Sequence, residues 1–173
     1  MADYRTTGVH QLNKWLWSKL QSFQFLDFTT NTMVNAFDAY GSAQGKINLV
    51  PIIPAQQQPE FTNIAAGAPF LVYGYSRGTH RDTWVLLNDK ATYVIYDNDE
   101  ERLRAIHNYL FELFKKYDEA VKDLNIYLGN SSAYNFKYIK VDLSTSPEPY
   151  VQEGGRQAAV ISISFEYTKE LDT

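Results

Sequence analysis

Ala159-Val160-Ile161-Ser162-Ile163-Ser164-Phe165-Glu166-Tyr167 decides the fold class. Ala159, Ile161, Ile163, Phe165 and Tyr167 fall on one side of an extended chain; Ser162, Ser164 and Glu166 fall on the other. Successive side chains of a strand point to opposite faces of a sheet, so a period of two marks a half-buried strand. Such a strand needs a layer over its apolar side, and the layer stands upstream. Leu103, Ile106, Leu110, Leu113, Tyr117, Val121, Leu124 and Leu128 recur every three or four residues, with Phe111 and Phe114 widening the stripe. That is the period of an amphipathic helix. Asp97, Asn98 and Asp99 offer N-caps, Glu100 and Glu101 put negative charge in the first turn, and Gly129 suits the stop. The run is long for one helix, so a kink or break near Lys116 to Glu119 is expected.

Working outward, Phe136 to Leu143 alternates again, with Ile139, Val141 and Leu143 opposite Tyr138, Lys140 and Asp142. Ser144 to Gly155 carries Pro147, Pro149, Gly154 and Gly155 and reads as a loop. Upstream of the helix, Pro69 to Ser76, Thr83 to Leu87 and Ala91 to Tyr96 are rich in β-branched and aromatic residues. Asn88-Asp89-Lys90 reads as a tight link, which predicts a hairpin of the last two. Lys46 to Ile53 is an apolar run whose prolines, Pro51 and Pro54, place it at a sheet edge. Phe25 to Gly45 carries little signal beyond a short strand at Met33 to Phe37 and a turn at Gly41 to Gly45. Gly8 to Gln24 reads as a helix with Val9, Leu12, Leu16, Leu20 and Phe23 on one stripe, capped by Thr6 or Thr7. Trp15 lies off the Leu16 face and is expected under a neighbouring loop, with a partner contact as the alternative. The tail from Thr168 is polar and expected to fray. The expected fold is α+β: a mostly antiparallel mixed sheet with an N-terminal helix and one long helix packed on one face, in a single domain over residues 1–173.

The bulk numbers bound the function. Hydrophobic residues make up 45% and charged residues 21% of 173, ordinary for a folded domain. Net charge is −4 and the basic residues are scattered, so a phosphate-binding face is not expected. The chain has no cysteine, which excludes disulfides, thiolate chemistry and cysteine-ligated zinc. The N-terminal residues open no apolar run of signal-peptide type, and no stretch approaches the ~20 apolar residues of a membrane span. Cytoplasmic synthesis of a soluble protein is the expectation. The 13 tyrosines, 10 phenylalanines and 3 tryptophans suit either a tyrosine-rich β core or protein interfaces.

Motifs for chemistry are sparse. His10, His80 and His107 lack metal-ligand spacing, and His107 is expected on a helix surface. His80 sits with Arg77, Arg81 and Asp82 in a polar connector, where an interface loop is favoured over an active-site loop. Asp142 and Glu166 lie on strands expected to be neighbours and form a remote candidate for a carboxylate pair. Gly154-Gly155-Arg156 precedes a strand and lacks phosphate-loop spacing. No catalytic residue, cofactor or metal site is expected, and no enzymatic activity.

Four phrases carry a resemblance. They are Pro54-Ala55-Gln56-Gln57-Gln58-Pro59-Glu60-Phe61, Pro69-Phe70-Leu71-Val72-Tyr73, Tyr117 to Leu128, and Gly154-Gly155-Arg156 leading into Ile161 to Thr168. With the order of elements and the size, they make the chain resemble the tail terminator, or tail completion, proteins of tailed bacteriophages over Gly8 to Thr168. The resemblance implies a structural virion protein assembled in the host cytoplasm. It implies a homo-oligomeric, usually hexameric, ring on the last ring of tail tube protein. That ring ends polymerisation and offers its other face to the neck or connector protein, and in contractile tails it also contacts the sheath. Genomic DNA passes through the lumen without specific binding, which an acidic balance suits. Other neck components, a sheath-stabilising role, an unrelated interaction module and a small enzyme are the alternatives. On this reading the aperiodic loops supply ring or tube contacts, with Gln56, Gln57, Gln58, Glu60, Arg77, His80, Arg81 and Arg156 as candidates.

Overall fold

The computed structural model describes residues 7–37, 50–55, 68–77, 86–142, 150–151 and 156–169, and for residues 77, 150 and 151 the backbone alone. The chain is α+β. Helix α1 spans Gly8–Leu20, followed by strands β1 (Gln24–Asp27), β2 (Thr32–Asn35), β3 (Ile52–Pro54), β4 (Phe70–Arg77) and β5 (Leu86–Asp97). Helices α2 (Glu100–Lys115) and α3 (Tyr117–Leu128) precede β6 (Tyr134–Val141), β7 (Tyr150–Val151) and β8 (Gln157–Lys169). The main sheet runs β3-β4-β5-β8-β6, with β7 also on β8; β1 and β2 form a separate hairpin. Pairing is antiparallel throughout except between β3 and β4.

The alternation in β8 does what its pattern requires. Ala159, Ile161, Ile163, Phe165 and Tyr167 are buried under the helices, while Ser162, Ser164 and Glu166 stay partly exposed on the other face. The helices enter one core with Leu12, Leu16, Leu103, Ile106, Leu110, Phe114 and Leu124, which meet Tyr93, Ile95, Ile139 and Val141 from the sheet. A smaller cluster, Ala68, Phe70 and Val72 with Ile53 and Tyr96, sits apart from that core. No helix among the described residues is long and apolar enough to cross a membrane.

The helix break falls at Lys116, whose φ of −82° and ψ of 66° leave the α region. Asp99 caps α2, its carboxylate accepting from the amides of Glu101 and Arg102. Gly129 ends α3 at φ 80°, where a side chain would be strained. Thr7 is the N-cap of α1, with its amide and hydroxyl both on Nδ1 of His10.

Four expectations are corrected. Asn88-Asp89-Lys90 is no turn: all three lie inside one continuous strand, β5, pairing Glu166, Phe165 and Ser164 of β8. Asp89 is buried there because the Tyr167 hydroxyl donates to its carboxylate at 2.7 Å. Trp15 is fully buried, and its Nε1 donates to Asp123 of α3 at 2.8 Å. His107 is not on the surface; it is 2% exposed, and Nε2 meets the Val160 carbonyl at 3.0 Å. The expected loop of residues 144–155 contains strand β7, and its other residues lie outside the described ones. The Thr83–Val85 and Gly41–Gly45 segments also lie outside the described residues.

Candidate functional site

A subunit of an assembly needs surfaces that its own chain leaves uncovered. The edges of the main sheet are blunted at particular positions. On β6, Asn125 of α3 donates to the Phe136 carbonyl and accepts from the Phe136 amide, both at 2.9 Å. One side-chain amide thus occupies the two backbone groups that a further strand would use at that position. A bulge between Phe136 and Tyr138 also interrupts the ladder and resets which side chains face the core. The opposite edge, β3, is three residues long and ends in Pro54. Between β7 and β6 the carbonyls of Val160 and Ser162 on β8 are taken by His107 and by the amide of Asp142.

The face of the sheet away from the helices carries the small buried cluster at one end, and its other end is the first candidate surface. A shallow depression of about 550 Å³ lies over β5, β8 and β6. Lys90 and Lys140 flank Ser164 in register, and neither has an ion-pair partner among the described residues. Beside them Thr92 and Ser162 share a hydrogen bond at 3.1 Å. At this end of the face Lys90, Thr92 and Lys140 are exposed and Ser162 and Ser164 partly so. The candidate carboxylate pair does not form. Glu166 stands opposite Tyr138, whereas Asp142 meets Ser162, four residues further along β8 or about 13 Å away.

The second surface is a groove of about 520 Å³ among the three helices. Five of its nine lining residues are charged (Lys19, Glu112, Lys116, Glu119 and Asp123); Tyr109 and Leu113 are the half-buried apolar ones, and Trp15 and Ala120 are buried. Charges around it are paired: Lys19 with Asp123, and Lys116 with Glu119 at 3.8 Å. The Lys19 ammonium, and then the Trp15 N–H, hold the Asp123 carboxyl below the ordinary carboxylate range.

The third surface is the β1–β2 hairpin. Leu26 and Met33 pair across it, and Phe28 opens its turn; they are 39%, 58% and 71% exposed. Asp27 accepts from the Thr29 amide and the Thr30 hydroxyl, which hold its carboxyl low and shape the turn, and Asn31 takes φ 53°. At the root of the hairpin, Phe23 stacks on Tyr109 of the groove at 4.3 Å.

Of the residues singled out from sequence, Gln56, Gln57, Gln58, Glu60, His80 and Arg81 lie outside the described residues. Arg77 ends β4 with its backbone opposite Asp89. Arg156 is spent inside the chain. It is 8% exposed, its guanidinium lies 5.0 Å above the Phe70 ring, and Nη1 donates to the Ala68 carbonyl at 3.1 Å. As a buried residue it ties the start of β8 to the segment before β4. The hairpin and the groove were missed from sequence. The signal for the hairpin was present in Asp27-Phe28-Thr29-Thr30-Asn31, a turn-prone cluster between two short apolar runs. The groove has no local signal, because three helices distant in sequence build it. Among the described residues no group of three or more His, Asp or Glu side chains could hold a metal ion. No protein-family model matches the chain, and no curated protein matches it.

Proposed function

We propose that the chain is a structural subunit of a tailed bacteriophage. It forms a ring that caps the tail tube, ends tube polymerisation and joins the tube to the neck. The observation that carries this reading is the likeness of the quoted phrases from Pro54 to Thr168, in their order, to tail terminator proteins. The physical support is of a general kind. A ring needs two different patches that meet head to tail. The chain has exposed surfaces of contrasting character: a hydroxyl- and lysine-bearing end of one sheet face, a hairpin that exposes Leu26, Phe28 and Met33, and a charge-rimmed groove. On β6 the backbone of Phe136 is occupied by Asn125, and β3 is short and ends in Pro54, both of which disfavour growth by strand addition. Nothing in this role asks the chain to break or form a covalent bond.

Deletion of the gene in the phage that encodes it tests the proposal. The expected outcome is tails of irregular, excess length with few joined to heads. Tails of normal length joined to heads would overturn it. A neck ring above the terminator is the second reading, and it predicts normal tube length with unjoined heads.

A further inference from the structure

We infer that the guanidinium of Arg156 is a receptor for a small oxyanion, a carboxylate or a phosphate. The inference does not rest on the tail reading; it concerns a charge that the fold encloses and does not neutralise. Arg156 is 8% exposed and forms no ion pair among the described residues. Buried charges are ordinarily paired, because an isolated one is strongly destabilising. Asp97 stands opposite Gln157, beside Arg156, and its charge acts on the guanidinium. That carboxylate is committed elsewhere: Arg102 grips both of its oxygens, from Nε at 2.7 Å and from Nη2 at 2.6 Å. Two guanidiniums thus share one carboxylate, and one positive charge is left over. Burial accordingly holds the Arg156 pKa below the ordinary arginine value.

The guanidinium is held still. It lies 5.0 Å from the centre of the Phe70 ring, Phe70 stacks on Tyr96 at 5.2 Å, and Nη1 donates to the Ala68 carbonyl at 3.1 Å. The stack occupies one flat face of the fork and the tie to Ala68 one N–H. Its remaining nitrogens meet no acceptor among the described residues. They are not sealed from water, since the only fully buried side-chain nitrogen or oxygen left without a partner there is Nδ1 of His107. In-plane donors that reach water from a fixed fork suit two oxygens of a carboxylate or phosphate. Fixing the fork beforehand removes part of the ordering that binding would otherwise require. The lysines of the sheet face fit this role less well: Lys90 and Lys140 are exposed on flexible stems and share their depression with Asp142.

Nuclear magnetic resonance of the full chain, reading the arginine Nε–H signals, tests the inference. Inorganic phosphate and acetate are titrated in turn against chloride at constant ionic strength. The Arg156 signal, assigned by through-bond correlation to its backbone, should shift and saturate at about millimolar anion, as two charge-assisted hydrogen bonds allow. Saturation with phosphate alone assigns the site to phosphates; saturation with acetate as well extends it to carboxylates. The thermal midpoint of the wild-type chain should rise with the same anion. Arg156→Lys keeps the charge and loses the fork, so it should need at least about tenfold more anion for the same rise. Lys140→Gln, which removes an exposed cation and keeps the fork, should respond as the wild type does. Circular dichroism checks that each variant folds. An Arg156 signal that moves no more with phosphate or acetate than with chloride would overturn the inference. So would a response that Arg156→Lys retains in full or that Lys140→Gln loses.

Discussion

Asp123 shows how one exposed side chain can hold a buried one. Its carboxylate accepts from Trp15, which is fully buried, and pairs with Lys19 at the surface. Removing the acceptor strands a buried indole N–H, at a cost of ~1–3 kcal/mol. Asp123→Ala should therefore lower urea stability by that amount. Asp123→Asn keeps an acceptor and loses mainly a surface ion pair, worth under ~1 kcal/mol. Equal losses in the two variants would show that the Trp15 bond is unimportant. The lowered Asp123 pKa adds stability above pH 3.8 that fades as pH falls through the folded value. Tyr93 and Tyr167 set the alkaline limit. Burial raises both above the ordinary 10.0, helped by Tyr73 for the first and by Asp89 for the second. A raised folded pKa contributes stability below pH 10, lost as pH climbs beyond it. Stability should thus fall above pH 10, and less steeply in Tyr167→Phe. That variant should also lose ~1.5–3 kcal/mol near neutral pH, because Asp89 is buried and Tyr167 is one of its donors. A tyrosine titration that matches free tyrosine in the folded chain would contradict this.

At the scale of elements, the edge of β6 depends on Asn125. Asn125→Ala leaves the amide and carbonyl of Phe136 without that partner, so a loss of ~1–3 kcal/mol in urea unfolding is expected. Light scattering should also show more aggregation, because the edge is opened. A variant as stable and as dispersed as wild type would mean that the edge is closed by other means. This device shows which parts of the fold were legible and why. The period of two in β8, the stripe of α2 and the break at Lys116 are local patterns and read correctly; past the break the stripe changes phase, so that Tyr117 is exposed and Ala120 is buried with Leu124. The continuity of β5 is not local. Asn88-Asp89-Lys90 has turn composition, and the residue that makes Asp89 acceptable in a strand is Tyr167, 78 positions away. The same reason hid Trp15 and His107: each is buried by an element that only the tertiary fold brings near. The bulge in β6 is a further case, since Ile139 and Val141 reach the core only after the register shift past Phe136.

For the whole molecule, the assembly surfaces were the least legible part. Polar, aperiodic loops and Arg156 are the contacts the sequence suggests, yet Arg156 is a buried tie between the start of β8 and Ala68. The groove needs α1, α2 and α3 in place before it exists. What a sequence could signal was the apolar excess of a short hairpin, where Leu26, Phe28 and Met33 have no core to enter. In the proposed role, copies of this chain close into a ring that stops a growing tube. Addition of the purified chain to polymerising tail tubes, followed by electron microscopy, tests it most directly. Shorter tubes, each with a ring of extra density at one end, are expected. Tubes of unchanged length with bare ends would contradict it.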